Sequence, residues 1–276
     1  MKIFYYIYTN HKDGLERVRR GAVIIKALES NGFEVEVLVN DFRAGLEARE
    51  YGIGRSTTIE SILDVDVLVD MSDIVIIDTP EDDRGRISNF INDYQKVFRV
   101  VDDNSTSLYG EEIINLSNSM VVDKEYQKEH NKIDRVLFFY GDSDSTKKIL
   151  KMFEIFKDNN FDILLGNYFY QGYEDELEKF FNFIYQSDEY IDKISSYANV
   201  VTYSLQCAIE AKIAKASVVL VSVDIDKINI AKSYNIAVID RLDDELIEKA
   251  LQNQNSNQKD INSEIDILLD SLKEYK

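Results

Sequence analysis

Short apolar runs separated by helix-length stretches recur along this chain, and that rhythm constrains the fold more than any other feature. Phe33-Glu34-Val35-Glu36-Val37-Leu38-Val39 alternates with period two. Asp73-Ile74-Val75-Ile76-Ile77-Asp78 is continuously apolar with acidic ends, the pattern of a strand buried on both faces of a parallel sheet. Lys2 to Tyr8, Phe98 to Asp102 and Ser119 to Asp123 read as further strands. Helices are expected over Leu15 to Ser30 and Glu81 to Tyr94, and Thr57 to Leu63 reads as helical within the difficult region from Phe42 to Met71.

A polar stretch from Lys124 to Asp134 interrupts the pattern, which then begins again. Strands are expected over Arg135 to Tyr140, Phe161 to Leu165, Asn199 to Thr202, Ser217 to Val223 and Ile236 to Asp240. Helices are expected over Thr146 to Lys157, Glu174 to Tyr185, Leu205 to Lys215 and Asp226 to Tyr234. Strand–helix alternation at this spacing implies parallel sheets with right-handed crossovers. Five strands, a break and five strands predict two α/β domains facing across a cleft, over 1–128 and 129–255. A single ten-stranded sheet is the alternative. Residues 252–258 are polar and of low complexity, and 256–276 should form a terminal helix. Ile261, Ile265, Leu268, Leu269 and Leu272 mark its apolar face, with Ser263 as N-cap. That face suits core packing or docking onto the other domain, with a homodimer or partner contact as the alternative.

The 276 residues are 45% apolar, enough for a substantial core. A net charge of −19 opposes non-specific binding of nucleic acid or anionic membrane, but leaves room for one small basic pocket. Cys207 is the only cysteine, so no internal disulfide can form; with only His11 and His130 beside it, no metal site is expected, nor any cofactor. The N-terminal apolar run is short for a secretory h-region and no run approaches eighteen residues, so membrane insertion is not expected. A cytoplasmic protein is the simple expectation.

Three corners carry candidate chemistry. After the first strand, the loop Thr9-Asn10-His11-Lys12-Asp13-Gly14 leads into a helix opening with Arg17, Arg19 and Arg20. A helix N-terminus at the end of a parallel strand favours an anion, and arginines add charge for a phosphate or carboxylate. Solvated arginines on an ordinary first unit are the competing reading. In the second half, Tyr140-Gly141-Asp142-Ser143-Asp144 forms a turn that either exposes backbone N–H groups to a ligand or caps the next helix through Ser143 or Asp144. Ser204-Leu205-Gln206-Cys207-Ala208-Ile209-Glu210 also follows a strand and opens a helix, where Glu210 is either a ribose acceptor or a solvated acid.

The order of these pieces, from Met1 to about Asp240, resembles the UDP-diacetamido-trideoxyhexose hydrolases of pseudaminic acid biosynthesis and related spore-coat polysaccharide proteins. That family's Gly-His-x-x-Arg motif falls on Glu16-Arg17-Val18-Arg19-Arg20, its Ile-Asp-Asp on Val101-Asp102-Asp103, and its Phe-Gly-Gly-Ser-Asp on Tyr140-Gly141-Asp142-Ser143-Asp144. Its Gly-Ser-Thr-x-x-Glu falls on Leu205 to Glu210 and its Asn-Gln on Asp226-Lys227. Arg20, Asp103, Gly141, Ser143, Asp144 and Glu210 match the pattern.

The resemblance implies a GT-B-like α/β fold, with the sugar or acceptor on the N-terminal domain and the nucleotide on the C-terminal one. It implies a nucleotide-sugar or sugar-acid ligand and hydrolysis or glycosyl transfer in surface or flagellar glycan assembly. Arg17 stands where the family's histidine base stands, and arginine stays protonated at working pH and cannot accept a proton. His11, Asp13 and Glu16 are the alternatives in the same segment, and the catalytic candidates are His11, Arg17 and Asp103. Arg20, Gly141, Ser143, Asp144, Gln206 and Glu210 are the binding candidates. The last glycine is Gly172, so Gln206 and Cys207 stand where small residues would approach a pyrophosphate. A catalytically inactive descendant that binds a sugar acid or a protein is the rival implication.

Overall fold

The computed structural model describes residues 1–81, 83–103, 105–156, 160–169, 172–252 and 259–275, and the expected linker over 253–258 lies outside them. The chain divides into two compact units. Unit 1 comprises Met1–Val121 with Asp260–Lys276, and unit 2 comprises Val122–Lys259. The division falls a few residues before the 128/129 boundary, because the 3-10 turn Lys124–Gln127 packs on helices of unit 2.

In unit 1 the elements run β1 (Ile3–Ile7), α1 (Glu16–Ser30), β2 (Val35–Val39), α2 (Phe42–Glu50), β3 (Ser56–Thr58), β4 (Ile74–Asp78), α3 (Arg86–Asp93), β5 (Lys96–Val101) and β6 (Glu112–Asn115). All strands are parallel, in the order β3-β2-β1-β4-β5-β6. This is the doubly wound order, whose switch point lies between β1 and β4. Those two strands are buried along their whole length, as continuous apolar runs require. Each such Ile or Val contributes about 1.5–3 kcal/mol by leaving water. Helix α1 packs closely on β1 at Gly21, where a Cβ would lie 2.8 Å from Ile7 Cδ1.

Unit 2 runs β7 (Ile133–Phe139), α4 (Phe153–Phe156), β8 (Phe161–Leu164), α5 (Glu174–Leu177), β9 (Ile184–Tyr185), α6 (Tyr190–Ser196), β10 (Tyr197–Thr202), α7 (Leu205–Ile213), β11 (Ser217–Val221), α8 (Ile225–Ser233), β12 (Ala237–Ile239) and α9 (Asp244–Gln252). Its parallel sheet has the order β12-β11-β10-β7-β8-β9, the same winding with its switch point between β7 and β10. Phe138, Phe156 and Phe181 pack together in its core. Lys132 ties the lower end of the unit, its Nζ donating to the carbonyls of Ser195 (2.7 Å), Tyr197 (3.3 Å) and Ala214 (2.6 Å).

The last helix, α10 (Ser263–Ser271), returns to unit 1 and packs on α1 and β6. Ile265, Leu268 and Leu272 are buried there, while Glu264 accepts from Asn115 N (3.2 Å) and Asn118 Nδ2 (3.3 Å). Its N-cap is Asn262, in the left-handed region at φ 66°, and not Ser263; Asn262 N donates to the Met120 carbonyl.

Several other expectations are corrected. Each sheet has six strands, not five, because β3, β6 and β9 are short edge strands without an apolar run to mark them. Ser56–Thr58 is the edge strand β3 where a helix was expected to start, and a 3-10 turn over Ile62–Val67 follows. Met120, Val121 and Val122 are buried but join no strand, so burial alone explains their apolar character. The helix expected over 174–185 is one turn, α5, followed by β9. The helix expected over 146–157 is a 3-10 turn at Ile149–Met152 leading into α4. Gly85, in the left-handed region at φ 78°, delays α3 to Arg86.

Candidate functional site

The first turns of α1 and the carboxyl ends of β4 and β5 form a pocket of about 230 Å³ within unit 1. Crevices at this end of a doubly wound sheet, beside the switch point, are where ligands bind in such sheets. The loop from β1 to α1 folds around Asn10: its side-chain Oδ1 accepts from Lys12 N (2.7 Å) and Asp13 N (2.9 Å), and Gly14 N donates to its carbonyl. Thr9 and Asn40 exchange two hydrogen bonds that fix this loop to the end of β2.

Arg20 projects from the second turn of α1 onto the end of β4. Its Nε donates to Asp78 Oδ2 (2.9 Å), its Nη2 to Asp78 Oδ1 (2.5 Å), and its Nη1 to Asp102 Oδ2 (2.7 Å). Burial alone would lower the Arg20 pKa, but Asp78 and then Asp102 outweigh it and hold the guanidinium well above its ordinary value. Asp78 is fully buried, whereas the Asp102 side chain is half exposed. Tyr5, beneath α1, has its hydroxyl pushed up by burial and then by the nearby Asp78 charge.

Arg17 lines the same pocket but is held loosely. Its ion pairs to Asp13 Oδ2 (3.5 Å) and Asp78 Oδ1 (3.6 Å) are longer than hydrogen bonds, so an anion can take their place. Asp103 also lines the pocket and accepts from Ser105 N (2.8 Å). His11 is exposed in the β1–α1 loop and does not line the pocket. Arg19 turns away into the α1–α2 contact, with Nη2 3.7 Å from Glu47 Oε1.

One wall of the pocket was not legible in sequence. Arg99 donates from Nε to Glu111 Oε1 (2.9 Å) and from Nη2 to the Thr106 carbonyl (2.6 Å). Glu111 also accepts from Leu108 N (2.9 Å), Tyr109 N (2.9 Å) and Ser107 Oγ (3.1 Å). Burial would raise its carboxyl, but the backbone N–H groups and Arg99 hold it down at about 2. Asp78, by contrast, had a signal: an acid ending a continuous apolar strand lies at the carboxyl edge of the sheet.

The candidates of unit 2 occupy their own corner. Gly141 follows β7 at φ 129°, and Gly166 lies against it so closely that a Cβ there would be 2.2 Å from Asp142 Cα. Asp144 is buried and accepts from Lys148 N (2.7 Å), Ile149 N (2.9 Å) and Tyr173 OH (2.8 Å), the capping role weighed for it above. Ser143 is half-buried. Ser204 caps α7 by accepting from Cys207 N (3.0 Å). Glu210 is 2% exposed and accepts from Tyr190 OH (2.7 Å) and Gln206 Nε2 (2.9 Å). Among the described residues no group of three or more His, Cys, Asp and Glu could hold a metal ion, and no helix is long and apolar enough to cross a membrane.

No protein-family model matches the chain, and no curated protein matches it by sequence. Solved structures do match it over its full length. The UDP-GlcNAc 2-epimerase of Methanocaldococcus jannaschii, solved with UDP-GlcNAc and UDP, is similar at a TM-score of 0.64, with 12% identity and 100% of both chains covered. The fold is GT-B. The S. aureus MnaA–UDP structure is similar at a TM-score of 0.61 and 12% identity, over 100% of this chain and 97% of that one. Acinetobacter baumannii MurG is similar at 0.52 and 10% identity, over 99% and 100%. At such identities the GT-B likeness concerns the path of the chain and not its side-chain chemistry.

Proposed function

We propose that the chain binds a nucleotide-linked sugar, UDP-sugars first, and that the unit 1 pocket receives the sugar or sugar-acid part. The observation that carries this reading is the convergence of Arg17, Arg20, Asp102 and Asp103 on one pocket beside the switch point of a GT-B sheet. Carboxylates accept from sugar hydroxyls, and Arg17, with its long ion pairs, is the cation placed to meet a phosphate or sugar carboxylate. The UDP-bound neighbours and the resemblance to UDP-sugar hydrolases support the same class. Hydrolysis or transfer at the anomeric carbon is the reaction class, serving surface glycan assembly such as the pseudaminic acid or flagellar route. As the oxygen of water or of an acceptor hydroxyl bonds to the anomeric carbon and the bond to the phosphate oxygen breaks, Asp103 accepts the nucleophile's proton and Arg17 offsets charge on the departing phosphate. Gln206 and Glu210, bonded to each other, act by shaping α7.

A second reading, binding without bond cleavage, is favoured by Arg17 in the place of a histidine base and by His11 outside the pocket. One experiment separates the two. The purified chain is screened by thermal shift against UDP-, CMP- and GDP-sugars, and UDP release from any stabilising UDP-sugar is followed in parallel. A raised melting point with UDP release that falls in Asp103→Asn supports the enzyme, and a raised melting point alone supports the binder. No shift with any sugar nucleotide refutes both.

A further inference from the structure

The unit 1 pocket is polar where Arg17, Asp102, Asp103 and Ser105 line it, yet Leu108 and Ile87 also face it. Ile87 is buried on α3 and belongs to the core, whereas Leu108 is 63% exposed. An exposed leucine is ordinary on a mobile surface loop. Leu108 is not on such a loop. The segment from Thr106 to Gly110 is wrapped around one buried carboxylate: Glu111 accepts from Leu108 N, Tyr109 N and Ser107 Oγ. Ser107 Oγ accepts in turn from Gly110 N (2.9 Å), and Arg99 binds both Glu111 and the Thr106 carbonyl. Arg99 belongs to β5, where it pairs with Ile113 of β6, so the clamp anchors the segment to the sheet. Its effect is to hold an exposed apolar side chain at the mouth of a pocket whose charged groups stand among buried apolar ones such as Ile87 and Val100, as preorganised binding loops do.

We propose that Leu108 is a specificity-determining residue, packing against the apolar C–H face of the sugar ring while Asp102, Asp103 and Arg17 meet its polar substituents. This rests on the nucleotide-sugar reading above. A pyranose ring has hydroxyls at its rim and C–H groups on its faces, so a pocket for it needs both kinds of wall.

The test uses UDP-N-acetylglucosamine and UDP as probes, titrated calorimetrically into the full chain and into Leu108→Ser and Leu108→Met. Leu108→Ser should weaken UDP-N-acetylglucosamine about tenfold, the loss expected when part of one leucine side chain no longer packs. It should leave UDP unchanged, and Leu108→Met should restore most of the affinity for the sugar nucleotide. The unliganded melting point should stay put in both variants, because the side chain is exposed. Equal binding of both probes by Leu108→Ser and the unmodified chain overturns the proposal while the functional reading stands. So does equal weakening of both probes, which would remove the sugar from the contact. Failure of the unmodified chain to bind either probe overturns this assignment, and the functional reading falls with it when CMP- and GDP-sugars fail as well.

Discussion

Arg20 and Asp78 meet in a two-point ion pair, Nε to Oδ2 at 2.9 Å and Nη2 to Oδ1 at 2.5 Å, with both side chains buried. The pair links α1 to the end of β4 at the switch point, so the floor of the pocket is also part of the unit's core. Removing the Asp78 charge leaves the buried Arg20 with the half-exposed Asp102 in place of a fully buried two-point partner. Asp78→Asn should destabilise the chain by about 3–5 kcal/mol. Denaturant unfolding checks this, and a loss under 1 kcal/mol would mean that Arg20 finds enough support in Asp102 alone.

Arg17 makes a contrasting prediction because it is loosely held. Arg17→His should cost little stability, yet place an imidazole where the hydrolase pattern has its base. With Asp103 taking the proton, loss of the cation on the leaving phosphate dominates, and UDP release from a bound UDP-sugar should fall by at least about tenfold. A rise would show that position 17 holds the base and that Asp103 does not.

The clamp at Glu111 predicts a defined pH dependence. Its carboxyl is lowered from 4.5 to about 2 in the folded chain, so its stabilisation is fully present above pH 4.5 and is lost as pH falls toward 2. With 51 acidic residues the whole-chain profile is crowded, and the informative quantity is the difference from Glu111→Gln. That difference should be about 3 kcal/mol at neutral pH and shrink steadily between pH 4.5 and 2. A difference independent of pH would assign the loss to packing and not to charge.

Lys132 should matter for folding alone. Its ammonium satisfies three carbonyls at the ends of α6, the start of β10 and the end of α7, and burial followed by the Lys215 charge lowers its pKa. Lys132→Met keeps the stem but leaves those acceptors without the donor. A loss of about 1–3 kcal/mol is expected, with sugar-nucleotide affinity unchanged for the protein that remains folded. A selective drop in affinity would be the contrary result.

The architecture was legible because continuous apolar strands such as Ile74–Asp78 and Ser217–Val221 announce burial on both faces, and helices such as α1 and α7 follow at crossover spacing. Short edges were not legible: Ser56–Thr58 and Ile184–Tyr185 pair on one side only and need no apolar pattern. At the site, the motif positions Arg17, Arg20 and Asp103 came from sequence and lie on one pocket. His11 did not join them, because the turn around Asn10 holds the loop's backbone while the imidazole stays exposed. Glu111 and Leu108 were invisible beforehand. Their significance lies in which backbone groups a buried carboxylate collects, and neighbouring residue types do not encode that.

The clamp also separates two properties that are usually entangled in a small binding site. Ser107, Leu108 and Tyr109 are held by backbone N–H groups and one hydroxyl, with the Leu108 and Tyr109 side chains left outside the core. As long as Glu111 and Arg99 remain, the identity of residue 108 or 109 can change without a matching change in the sheet. Under the proposed function, ligand preference at this pocket can therefore be altered one exposed side chain at a time, at little risk to folding.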